Sequence, residues 1–123
     1  MVKTIKIGDK SYDMKSSAFT MFAYKDKLGR NLLTDINSIN KKYNEIQKKQ
    51  QNEQEEAWMD EITPLIENTL KLAHIMICEQ NSGFMCYEDW LKELDYLMDN
   101  TEWILNVLEL GMTPFQGRIQ NSQ

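Results

Sequence analysis

The chain reads as a mainly α-helical domain that opens with a β-hairpin, and three observations carry that reading. Residues 4–14 alternate apolar and polar side chains about a Gly-Asp turn, which is strand chemistry. From Ser16 onward the apolar residues recur at spacings of three and four, the period of a buried helix face. The chain has 123 residues, 41% hydrophobic and 27% charged, which is material for a single core. A domain of that size buries roughly two-thirds of its unfolded surface and needs no metal or disulfide to stand. The expected architecture is an N-terminal hairpin followed by about four to five helices packed as one small helical domain spanning 1–123.

Taken in order, Thr4-Ile5-Lys6-Ile7, the turn Gly8-Asp9-Lys10 and Ser11-Tyr12-Asp13-Met14 form the hairpin. Ile5, Ile7, Tyr12 and Met14 are placed to share a buried face, and a lone hairpin must pack on something helical. Ser16 or Ser17 then caps a helix whose apolar side is expected to run through Phe19, Met21, Phe22 and Tyr24. Leu28-Gly29 ends it, with Gly29 free to take the left-handed conformation. Thr34 or Asp35 is the expected cap of a second helix with a narrow stripe of Ile36, Ile39, Tyr43 and Ile46. Residues 47–56 contain no apolar side chain and no Gly or Pro, which predicts a polar helical extension or linker.

The strongest helical pattern follows. Trp58, Ile62, Leu65, Ile66, Leu70 and Ala73 recur at helical spacing, and Leu72, Ile75 and Cys78 widen the stripe, so this helix is expected to be buried on most sides. Pro64 opens the first turn of a new helix or interrupts one that began earlier. Asn81-Ser82-Gly83 ends it, and a further helix is expected over about Tyr87–Met98. Asp99 and Glu102 have the spacing of a capping box before a last helix carrying Trp103, Ile104, Val107 and Leu108. The last two helices read as an antiparallel pair joined at Asp99-Asn100, with the last one stopping at Gly111. Residues 116–123 are polar and expected to be a disordered tail.

Charge narrows the function. The formal net charge is −5, which argues against a nucleic-acid partner. It is unevenly spread: residues 1–30 hold seven bases and three acids, whereas residues 57–123 hold three bases and eleven acids. Opposed ends of this kind suit attraction between copies as well as plain solvation. There is no apolar run long enough to span a bilayer and no signal-peptide core at the N-terminus, so a cytoplasmic protein without a membrane partner is expected.

The sequence offers little for catalysis. His74 is the single histidine, and His74, Cys78 and Cys86 do not have the spacing of a structural zinc site. The carboxylate pairs fall on polar helix faces, and no phosphate-binding or nucleophile motif is present. The expectation is a non-enzymatic binding protein with no cofactor and no metal. Eight methionines and three tryptophans suit an adaptable contact surface as well as core. Tyr87, Trp90, Leu94, Met98 and Trp103 are the candidate partner-binding residues. Trp90 and Trp103 lead because short helices have limited means of burying them.

The stretch Tyr24-Lys25-Asp26-Lys27-Leu28-Gly29-Arg30-Asn31-Leu32-Leu33-Thr34-Asp35 resembles the front of the tail assembly chaperones of tailed phages that infect Gram-positive bacteria. Tyr87-Glu88-Asp89-Trp90-Leu91 is similar to that family's aromatic-acid-acid-Trp-Leu segment, and 103–110 to its closing helix. The resemblance covers roughly residues 2–110. Leu28, Asn31, His74 and Cys86 depart from it, standing where an aromatic, Asp, Tyr and a Ser or Thr cap are common. The resemblance implies a phage or prophage chaperone that coats the tape measure protein in the host cytoplasm and is absent from the finished particle. The tail tube protein and further copies of the chain are secondary partners on that reading. A small adaptor or regulatory protein docking one helix of another factor is the alternative.

Overall fold

A computed structural model describes residues 1–49 and 55–116, with side chains for all of these except 49 and 55–59. Residues 50–54 of the expected polar extension, residues 117–123 of the expected tail and the Trp58 side chain lie outside the described residues.

The hairpin forms as its alternation dictates. Strand β1 (Val2–Ile7) pairs antiparallel with β2 (Lys10–Lys15), with Ile5 opposite Tyr12 and Ile7 opposite Lys10. Gly8, at φ +66°, takes the first turn position, where a two-residue hairpin loop of this kind needs positive φ. Ile5, Ile7 and Met14 are buried beneath the hairpin, and Thr4, Lys6 and Asp13 face outward. The amino terminus is tied in as well, since the Met1 ammonium donates to the Ser16 carbonyl at 2.9 Å.

Helix α1 (Ala18–Leu28) starts at Ser17, whose hydroxyl accepts the Phe19 N–H while Thr20 Oγ1 accepts the Ser17 N–H in return. It ends at Gly29, φ +67°, whose N–H reaches the Lys25 carbonyl at 2.8 Å. Its inward face differs from the expected one. Thr20 and Tyr24 are buried, whereas Phe19 and Phe22 are each 63% exposed. Polar anchors decide the rotation. The Ser17 and Thr20 hydroxyls both donate to the Glu79 carboxylate, and the Tyr24 hydroxyl donates to Asp35.

Helix α2 (Leu32–Lys49) begins earlier than a Thr34 or Asp35 cap would place it. Asn31 Oδ1 accepts the Thr34 N–H at 3.0 Å, so Asn31 takes the capping role. Asp35 is thereby free for a different task and is buried with Tyr24 and Arg30. Ile36, Ile39, Tyr43 and Ile46 form the expected inward stripe.

Helix α3 (Glu55–Gln80) is the hub, packing against β2, α1, α2 and α5, the last of which is Glu102–Met112. Pro64 lies inside α3, which corrects the alternative of a first-turn position. It leaves the Asp60 carbonyl without its helical donor, at an exposed residue. Every residue from Leu72 to Ile77 is buried, as a helix surrounded on most sides requires.

The expected helix over Tyr87–Met98 is shorter. Helix α4 covers Tyr87–Lys92, and residues 93–101 turn back irregularly, with Tyr96 at φ +60°. The long connection replaces the tight joint expected at Asp99-Asn100. The cause is contact with the hairpin tip: a Cβ on Gly8 would sit 1.9 Å from the Asp95 carbonyl oxygen. The Asp99–Glu102 capping box does not form, because Asn100 Oδ1 accepts the Glu102 N–H at 2.8 Å. Helix α5 runs through Gly111 rather than stopping there. Gly111 is buried against Leu72 and Ile36, and a 3₁₀ turn, Thr113–Phe115, follows with Pro114.

Candidate docking groove

The expected binding set divides when placed in the fold. Trp90 is fully buried and Trp103 is 2% exposed, which corrects the expectation that they lie on a surface. Trp90 is covered from the hairpin by Tyr12, edge-on at 5.6 Å, and from α3 by His74 at 5.7 Å. Trp103 is anchored by its indole N–H to the Leu97 carbonyl at 3.0 Å. Leu94 and Met98 are half-buried against the core in the 93–101 connection. Tyr87 alone of the five lines an open depression on an apolar surface.

That surface is a seam between α1 and α3. One half is a depression of about 530 Å³ walled by Phe19, Phe22, Ala23 and Asp26 of α1 and by Ile75 and Cys78 of α3. The other, of about 500 Å³, is walled by Leu28, Lys71 and His74 and closed by Phe84, Met85 and Tyr87 from the α3–α4 connection. Lys27, Ile75 and Cys78 line both halves, so the two adjoin. Each wall is a single helical stripe: 19, 22, 23 and 26 on α1, and 71, 74, 75 and 78 on α3.

His74 is a structural floor of this seam. Its Nε2–H donates to the Met85 carbonyl at 2.9 Å, and the ring packs against Phe84 and Tyr87 at 5.9 and 5.6 Å. The bond holds the α3–α4 connection against α3 and fixes the tautomer. Cys78 Sγ lies 3.5 Å from the same nitrogen. Burial pushes the Cys78 thiol upward, with Lys27 pulling weakly the other way, so Cys78 is no activated nucleophile. Burial likewise raises the Tyr87 hydroxyl. Among the described residues, no group of three or more His, Cys, Asp or Glu is placed to hold a metal ion. No helix among the described residues is long and apolar enough to cross a membrane.

Sequence reasoning assigned Phe19 and Phe22 to the core and so missed the seam. The available signal was the excess of apolar residues on α1: Phe19 and Phe22 fall on the side away from Thr20 and Tyr24, and one face cannot bury both pairs. What the arrangement can do is dock an apolar helical ridge. The stretch Gly29–Asp35 acts from behind it. Asp35 Oδ2 accepts Arg30 Nε and the Tyr24 hydroxyl, each at 2.7 Å, and Oδ1 accepts Arg30 Nη2 at 2.8 Å. That clamp fixes the α1–α2 turn and with it the outward aim of Phe19 and Phe22.

No protein-family model, curated protein or solved structure matches the chain.

Proposed function

We propose that the chain is a non-enzymatic tail assembly chaperone of a phage or prophage, which masks the apolar stripe of the tape measure protein and keeps it soluble while the tail tube assembles. The observation that carries this reading is the open seam between α1 and α3, with Phe19 and Phe22 each 63% exposed beside it. Large aromatics left bare on a small domain mark a contact surface. A tape measure protein is a long helix, and helix-in-groove docking needs apolar anchors at helical spacing facing such a seam. The sequence resemblance over 24–36, 87–95 and 103–110 supplies the choice of partner.

Co-expression with the tape measure protein encoded beside it tests the proposal. The tape measure protein is expected to move from the insoluble to the soluble fraction and to co-purify with the chaperone. If it stays insoluble and unbound with the chaperone in excess, the reading fails.

A further inference from the structure

The seam has walls of known charge, and its occupant follows from them. Both walls are helical stripes, so the shape they leave between them is the one a third helix fills when its ridge packs into the groove of two others. The half floored by His74 and Tyr87 is lined by two ammonium groups, Lys27 and Lys71, and by no carboxylate. Lys71 is 3.9 Å from Glu67, one turn back on its own helix, and Lys27 has no ion pair among the described residues. In the other half, the Glu79 carboxylate is engaged by the Ser17 and Thr20 hydroxyls. Apolar floor and positive rim therefore coincide at the Lys27–Lys71 end.

We propose that this seam holds an amphipathic helix of the partner whose apolar ridge is flanked by carboxylates, which meet Lys27 and Lys71. The proposal rests on the chaperone reading for the identity of the partner, and on the seam alone for its chemistry. Phe19 and Phe22 close over the apolar ridge from the α1 side, and Met85 adapts to its shape from the other end. The lysines set the register and exclude basic helices, since opposite charges at a rim confer selectivity more than strength.

Two synthetic helical peptides with identical apolar anchors, one flanked by Glu and one by Lys, titrated against the full chain, test this. The Glu peptide is expected to bind roughly tenfold more tightly at low salt, with the advantage shrinking as salt is raised. The double substitution Lys27→Glu, Lys71→Glu reverses the preference, and Phe22→Ser weakens both peptides. Equal binding of the two peptides, binding of neither, or binding indifferent to Phe22→Ser overturns the proposal. So does concentration-dependent dimerisation that Phe22→Ser abolishes, because the occupant is then a second copy. The two readings fail separately. If the tape measure protein stays soluble with Phe22→Ser as with the parent chain, the seam is wrong and the chaperone reading stands. If the Glu peptide binds at the seam while the tape measure protein is not solubilised, the chemistry stands and the function does not.

Discussion

Replacing Asp35 with Ala removes the acceptor at the centre of the clamp, and its cost can be worked from the partners left behind. Asp35 is 5% exposed and Tyr24 1%, so the Tyr24 hydroxyl would lose its acceptor at 2.7 Å with no water to replace it. An orphaned buried hydroxyl costs about 1–3 kcal/mol. Arg30 is exposed and returns to solvent, so its loss adds little. Asp35→Ala should therefore destabilise the domain by about 2 kcal/mol, with the urea midpoint falling and the slope unchanged. The sharper test is the pair. Tyr24→Phe alone costs about 1 kcal/mol, but in the Asp35→Ala background it removes the orphaned group, and the double variant should be more stable than Asp35→Ala. Equilibrium urea unfolding of the four proteins measures this cycle. If Tyr24→Phe destabilises Asp35→Ala further, the hydroxyl was not dependent on Asp35 and the clamp argument is wrong.

The remaining expectations follow from single contacts. Asp35 is held below the ordinary carboxylate range, by its hydrogen bonds to Arg30 foremost, with burial opposing and the Tyr24 hydroxyl assisting. A depressed folded value means this contribution is complete above the unfolded carboxylate pKa and is lost as pH falls below about 4 toward the folded one. Acid titration of stability should show that loss in the parent chain and its absence in Asp35→Ala. Gly8→Ala places a methyl 1.9 Å from the Asp95 carbonyl at φ +66°, so it should displace residues 93–101 from the hairpin tip, read as faster amide exchange there. Trp90→Ala should cost about 3–5 kcal/mol, enough to unfold a marginal domain, because Trp90 is core. Phe22→Ser should change stability by less than about 0.5 kcal/mol yet weaken partner binding by roughly 2 kcal/mol, about thirtyfold in Kd.

Where local chemistry decided the structure, the sequence was readable. Alternation about Gly8-Asp9 placed the hairpin and its inward face, and the apolar residues around 70–77 marked α3 as buried on most sides. Gly29 ended α1 as its freedom at positive φ allows. The misplacements arose where a distant partner overrides a local pattern. Asp35 has the composition of a helix cap, but the guanidinium five residues earlier claims its carboxylate and leaves Asn31 to cap α2. Leu94, Leu97 and Met98 continue the helical period beyond α4, but the hairpin tip presses on the backbone at Asp95 and Tyr96 and the chain turns. Trp90 and Trp103 are on short helices, and only the tertiary placement of Tyr12 and the 93–101 connection buries them. The same exchange exposes Phe19 and Phe22, because hydroxyl bonds to Glu79, and not hydrophobicity, orient α1.

The central claim is that a partner helix sits in the seam between α1 and α3. Methyl NMR of the full chain on addition of the purified tape measure protein tests it directly. The account predicts shifts at Leu28, Ile75 and Met85, with Ile46 and Val107 unmoved on the far side of the core. Unchanged Ile75 and Met85 methyls in a formed complex, or shifts confined to Val2 and the outer hairpin, would contradict it.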